Sequence, residues 1–128
     1  WFRGQPQKAK ISGYVNHRWN GVTTLHFAKL CRGIIAQNIG LAHLQHVVPA
    51  GDVTKCELLQ SFACHFKRED ISITPSKANV IVDRTLKTAN ETMNQALWAA
   101  AGYSRPPSIP EMVAELADFD YKFGGLSG

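Results

Sequence analysis

Read as apolar and polar positions, the chain changes period several times, and each change marks an element. "AKISGYV" (9–15) has the β-branched and aromatic residues of a strand, interrupted by Gly13. "NHRWNG" (16–21) breaks that pattern, and Asn20-Gly21 is a strong turn pair, so the stretch reads as a loop. From Thr23 the period becomes helical: Leu25, Ala28, Leu30, Cys31, Ile34 and Ile35 recur at three- and four-residue spacing. Thr23 or Thr24 can cap this helix, because a threonine oxygen accepts from an otherwise unpaired amide of the first turn. Asn38 and Gly40 end it.

"LAHLQHVVPAG" (41–51) reads as a buried strand closed by Pro49 and Gly51. Thr54 and Glu57 then form a T-x-x-E capping box ahead of a helical stripe of Leu58, Leu59, Phe62, Ala63 and Phe66. "DISITP" (70–75) is a short alternating strand ended by Pro75, and "NVIVDRTL" (79–86) is another extended run with Asp83-Arg84 near its end. "NETMNQALWAAAGY" (90–103) is helical until Gly102. A proline-marked turn leads to a last helix with a second capping box, Ser108 and Glu111, and the glycine-rich end from residue 120 to 128 reads as a flexible tail.

Short strands therefore alternate with helices, without an internal repeat or a linker long enough to divide the chain. The expected fold class is mixed α/β (α+β), a small sheet with packed helices in one domain over residues 1–128. Composition agrees: 128 residues, 45% hydrophobic and 19% charged, are enough for one modest core. No apolar run approaches the ~18 residues of a membrane span, and the first ten residues hold no apolar signal region, so a cytoplasmic location is expected. The chain starts at Trp1, and "WFRGQ" reads either as the continuation of an upstream segment or as the product of ordinary processing.

The net charge of +4 comes from scattered lysines and arginines, without a basic block or basic-aromatic alternation. That pattern suits attraction of a small anion rather than nucleic-acid binding. Cys31, Cys56 and Cys64 are too few and too irregular for a disulfide framework, which points to a reducing compartment and to small core residues.

Candidate chemistry narrows quickly. His43 and His46, three apart on an expected strand, point to opposite faces and make no metal pair. No glycine fingerprint for a dinucleotide and no phosphate-binding P-loop is present, and no G-x-S-x-G marks a serine nucleophile. What remains is polar and basic. Asn20, Thr23 and Thr24 gather at a loop-to-helix junction, where free amides and a partial positive charge suit an anion, or where they simply cap. Arg84 ends a strand, placed for a bidentate phosphate contact or for a surface ion pair with Asp83 or Glu91. Lys55 in a first helical turn opposes the helix dipole, which hints at an anion nearby. Trp19 is suited to stack on a base or sugar, or to cover the core.

Several stretches in succession resemble one family: "WFRGQ…KISGYVNHRWNGVTTLHFAKL", "GLAHL…VP…VTKCELL", "ISITP…VDRTL" and "LWAAAGYSRPPSIPEM". They are similar to the C-terminal, substrate-binding part of extended short-chain dehydrogenase/reductases, in the sugar-nucleotide reductase group of the dTDP-4-dehydrorhamnose reductase type. The similarity runs from Trp1 to about Phe119. It implies that Asn20 to Thr24 lies near a substrate-facing cleft, that Arg84 matches the family's arginine near the end of the substrate domain, and that Lys55 matches by position. It also implies that the N-terminal Rossmann domain, with its NAD(P) site and its proton-transferring tyrosine and lysine, is not in this chain. The expectation is thus a nucleotide-sugar-binding portion, not catalytically competent alone, with Trp19, Asn20, Thr23, Thr24, Lys55 and Arg84 as substrate-binding residues. No catalytic residue and no metal ligand is expected. No cofactor is expected on this chain, NAD(P) belonging to an intact longer protein. Expected partners are a nucleotide sugar, a Rossmann half or a second copy, without membrane or nucleic acid. The alternative is a stand-alone interaction or oligomerisation module that kept the fold without ligand-dependent activity.

Overall fold

The computed structural model describes residues 1–120. After a 3-10 turn at Phe2–Gly4 come β1 (Lys10–Tyr14), β2 (His17–Trp19), α1 (Thr24–Ala36), β3 (Val53–Thr54), α2 (Lys55–His65), β4 (Ser72–Ser76), β5 (Val82–Arg84), α3 (Glu91–Ala100) and α4 (Ile109–Asp118). This is the mixed α/β class read from the sequence. β1 pairs in parallel with β4, while β2 lies between β3, antiparallel, and β5, parallel. Val15 N–H donates to Ser76 O at 2.9 Å and Val82 N–H to Asn16 O at 3.2 Å, so the chain from β1 to β2 runs alongside the chain from β4 to β5. Gly13 seats helix α2 on β1, because a Cβ there would lie 2.8 Å from Cys56 Sγ.

Local signals place the helices where the periodicity puts them. Thr23, not Thr24, caps α1, accepting from the His26 amide. Both capping boxes form: Thr54 with Glu57 at α2 and Ser108 with Glu111 at α4. Asn38 takes a positive φ of 49° just past α1, and Gly102 one of 99° past α3, the left-handed conformation that stops a helix. The main core gathers Leu30, Val53, Leu97, Trp98, Ile109, Met112 and Val113, and a smaller one gathers Phe2, Leu59, Ala63 and Ile71. α1 packs on α3, and α2 on α4.

Four local expectations are corrected. Residues 17–19, read as loop, form β2, because pairing with two distant segments supplies ladder bonds that local turn residues do not reveal. Residues 41–51, read as a buried strand, form no strand and make only an isolated bridge, Ala50 to Ser108; Leu41 and Leu44 are exposed, Val48 and Pro49 are buried, and Val47 packs half-buried against the main core. β4 runs one residue beyond Pro75, which is tolerated because β4 is an edge strand whose missing donor faces no partner. Cys56 is buried and Cys31 half-buried, but Cys64 is exposed, since it is rotated about 100° from the inward-facing Ala63 on α2. The tail expected over 120–128 lies, apart from Asp120, outside the described residues. Among the described residues no helix is long and apolar enough to cross a membrane.

Where the sheet gives out, asparagine side chains take over its hydrogen bonding. Asn94, 1% exposed, accepts from Val48 N–H at 2.9 Å and donates to Val48 O at 3.1 Å, and Trp98 Nε1 donates to the same carbonyl at 2.9 Å. Asn16 pairs in the same two-bond manner with Ala78, and Asn20 with Leu86. Arg68 does related work at the N-terminus. Its guanidinium donates to the carbonyls of Arg3, Gln5 and Pro6 and to Asp70, whose carboxylate also accepts from Lys8 N–H. The Arg68 hydrogen bond, followed by the Lys8 amide, holds Asp70 down at about 2.

Two outcomes follow from these contacts. Asn94→Ala leaves the buried Val48 N–H without a partner and is expected to cost about 2–3 kcal/mol in urea unfolding; Asn94→Asp, which keeps the acceptor but buries a charge, is expected to cost no less. Arg68→Lys lacks the planar fork, so faster amide exchange is expected over residues 1–9 with α3 unchanged. In the wild type that N-terminal protection is expected to persist as the pH passes below the ordinary aspartate value of 3.8 and to fade only toward about 2.

Candidate functional site

The β3–β2–β5 sheet and the start of α2 enclose a cleft of about 410 Å³ lined by His17, Arg18, Trp19, Lys55, Leu58, Val82 and Arg84. Register explains the assembly. His17 lies opposite Val82 and Trp19 opposite Arg84 across the parallel β2–β5 pair, while Arg18 lies opposite Thr54 on β3. Because β3 runs directly into α2, Lys55 follows Thr54 into the same neighbourhood. Three segments remote in sequence therefore bring four basic or ionisable side chains around one indole.

The electrostatics are one-sided. Arg18 Nη2 pairs with Asp52 Oδ1. Glu57 is held in the cap of α2, its pKa lowered first by the Thr54 backbone amide, then by the Thr54 hydroxyl, with Arg18 adding a smaller pull. Asp83, opposite Arg18 in register, turns its carboxylate to the Thr85 hydroxyl and amide, which lower its pKa in that order. Lys55 Nζ lies 5.1 Å above the Tyr14 ring, a cation–π contact that offsets its unfavourable place at a helix N-terminus. Arg84 is exposed and has no ion pair or side-chain hydrogen bond among the described residues, so the pairing with Asp83 or Glu91 weighed above is not formed. The acidic neighbours are thus engaged elsewhere, and Lys55 and Arg84 line the cleft without a carboxylate partner among the described residues.

Of the six residues read from the sequence as substrate-binding, the cleft brings together Trp19, Lys55 and Arg84. The other three lie outside its lining. Asn20 is 8% exposed with both ends of its amide on the Leu86 peptide, Thr23 caps α1, and Thr24 is exposed in the first turn of that helix. Trp19 plays two parts, lining the cleft and packing against the main core. Gly21 gives its ring room: a Cβ there would lie 2.3 Å from the indole. His17 and Arg18 were passed over because they sat in an apparent loop; the signal available was their position next to Trp19, which becomes informative only once β2 is known to be a strand.

A second polar cluster, away from the cleft lining, was also missed. Lys29 Nζ and Tyr103 OH both donate to Glu115 Oε2, at 2.6 and 2.8 Å, with the buried His26 beside them. Lys29's pKa is raised, first by its hydrogen bond to Glu115, while Tyr103's is raised first by burial. Neither is tuned toward proton transfer near neutral pH. Among the described residues no group of three or more His, Cys, Asp or Glu side chains is arranged to hold a metal ion.

No protein-family model matches the chain, and no curated protein matches it by sequence. Its fold is similar to the crystal structure of a dTDP-4-dehydrorhamnose reductase from Yersinia enterocolitica, with a TM-score of 0.60 over 86% of this chain at 8% identity. The chain spans 38% of that reductase's length, so the likeness is one of fold between this chain and a part of a solved sugar-nucleotide reductase.

Proposed function

We propose that this chain is the sugar-nucleotide-holding portion of an NAD(P)-dependent reductase- or epimerase-like protein, and that it does not carry out hydride transfer alone. The observation that carries the reading is the convergence of Trp19, Lys55 and Arg84 on one cleft, with Arg18 beside them. A nucleotide sugar offers a flat base or sugar ring for an indole and a diphosphate for cations. Arginine answers a diphosphate with a fork of paired donors, and lysine with a compact charge. The likeness in fold to part of a sugar-nucleotide reductase supports the same ligand class. In this reading the chain positions a substrate for a catalytic half that supplies cofactor and proton, which is a contribution of orientation rather than chemistry.

At a ligand concentration about tenfold above Kd, a dTDP- or UDP-sugar is expected to stabilise the fold by about 1.4 kcal/mol, a rise in melting temperature of roughly 5 °C. Arg84→Ala and Lys55→Ala are each expected to weaken binding about tenfold, because each removes a charge-assisted contact. Gly21→Ala is expected to weaken it as well, by pushing the indole out of place, with the fold retained. Absence of a thermal shift with any nucleotide sugar at millimolar concentration, in a sample shown to be folded, would sink the reading.

A second reading, an interaction module, draws on Phe27 and Ile35, which are 62% and 79% exposed on α1, and on Val80 and Ile81 ahead of β5. Apolar side chains of this size left in water favour contact with another protein surface. Light scattering at micromolar concentration separates the two: a monomer throughout argues against the module.

A further inference from the structure

Lys55 and His17 line the cleft, and both rest on one ring that does not. Lys55 Nζ lies over the Tyr14 ring, 5.1 Å from its centroid. The His17 imidazole meets the same ring at 4.9 Å, tilted by 50°. Chain geometry brings the three together. Tyr14 closes β1 and His17 opens β2, with only Val15 and Asn16 between them. Lys55 arrives from α2. Gly13 lets that helix settle on β1, since a Cβ there would lie 2.8 Å from Cys56 Sγ, and Lys55 precedes Cys56 as Tyr14 follows Gly13.

The ring is held from its own backbone. Tyr14 lies opposite Ser76 in the parallel β1–β4 ladder, and the Val15 amide donates to Ser76 O at 2.9 Å. Asn16 then pins Ala78 with both ends of its amide. Lys55 has no such anchor. Asp52 is paired with Arg18, Glu57 is taken by the α2 cap, and the free amides of a helix start repel a cation. The negative face of the Tyr14 ring is the attraction that remains to its ammonium. His17 has a second tether. Its Nε2 donates to Val80 O at 3.1 Å, because a carbonyl only accepts, so the imidazole is fixed both by its face and by its edge. The Tyr14 hydroxyl makes no hydrogen bond among the described residues, so the ring alone holds the two side chains.

We propose that Tyr14 is the positioning residue of the cleft: its ring sets the Lys55 ammonium and the His17 imidazole in place before a phosphate-bearing ligand arrives. A lysine on a flexible four-carbon stem loses much of its freedom when it binds an anion, and a side chain already held loses less. The proposal rests on the reading of the cleft as a sugar-nucleotide site for the ligand it serves. The placement of Lys55 by Tyr14 does not depend on that ligand and is measured without it.

The test has a ligand-free part and a binding part. In NMR spectra of the wild-type chain without ligand, the Lys55 ε-protons are expected upfield of those of the other lysines, with cross-relaxation to the Tyr14 ring. Tyr14→Phe is expected to keep that upfield shift, and Tyr14→Leu to lose it. With inorganic pyrophosphate as the probe, Tyr14→Phe is expected to bind as the wild type does, and Tyr14→Leu about fivefold more weakly, the scale of one exposed cation–π contact. In a Lys55→Ala background the same Tyr14→Leu change is expected to add less than about twofold, because the group it positions is gone. A Lys55 signal that is the same in wild type and Tyr14→Leu, a Tyr14→Phe variant as weak as Tyr14→Leu, or full additivity with Lys55→Ala each overturns the proposal. If the wild type does not bind pyrophosphate, the phosphate reading of the cleft is what fails, and the ring signatures still decide whether Tyr14 places Lys55. If Tyr14→Leu does not fold, the wild-type cross-relaxation from the Tyr14 ring to Lys55 and His17 decides, and its absence overturns the proposal.

Discussion

Asn94 and Trp98 hold the backbone N–H and C=O of a single residue, Val48, and the main core closes around that contact. The segment between α1 and β3 has to cross the core without a neighbouring strand, so the N–H and C=O of Val48 go into a dry interior with no ladder to join. An unpaired backbone group there costs about as much as a whole hydrogen bond is worth. The asparagine amide matches a peptide edge, one donor beside one acceptor, and so it replaces a strand. Asn16 on Ala78 and Asn20 on Leu86 repeat the device on either side of β2. Strands of only two to five residues can organise this chain because side chains continue the pairing where the strands stop.

The same arrangement builds the cleft. Asn16 and Asn20 hold the two ends of β2 against the chain around β5, which sets Trp19 opposite Arg84. The antiparallel contact with β3 then delivers the start of α2, and Lys55 with it. A mild positive charge, dispersed along the sequence, becomes local in space because the nearby carboxylates are occupied: Asp52 by Arg18, Glu57 by the helix cap, Asp83 by Thr85. On α1 the balance is reversed. Lys29 is matched by Glu115, and the polar side chains there serve helix packing rather than the cleft.

Features whose causes are local were legible. A capping box needs only residues three positions apart, so Thr54–Glu57 and Ser108–Glu111 were evident, as were the stops at Asn38 and Gly102. β2 was hidden, because three residues bounded by asparagines carry no period and become a strand only through two partners far away in sequence. The Leu41–Gly51 stretch misled in the opposite way: its apolar residues suggested burial throughout, but Leu41 and Leu44 face outward and burial begins only at Val47 to Pro49, where α3 holds the Val48 backbone. In the cleft, chemical type was enough to pick out Trp19, Lys55 and Arg84. It could not separate them from Asn20 and Thr23, whose polar atoms are taken up by Leu86 and by the α1 cap, or from Thr24, which is exposed outside the cleft lining.

By itself, then, the sequence determined the helices, their caps, the mixed α/β class and which residue types were available to meet an anion, because propensity, capping and periodicity act within a few residues. Only the tertiary structure decided which of those residues meet. Strand register, the peptide-pinning asparagines and the pairing of carboxylates depend on contacts across dozens of positions. Those contacts made β2 a strand, left Lys55 and Arg84 in one cleft without a carboxylate partner among the described residues, and sealed His26 away from water.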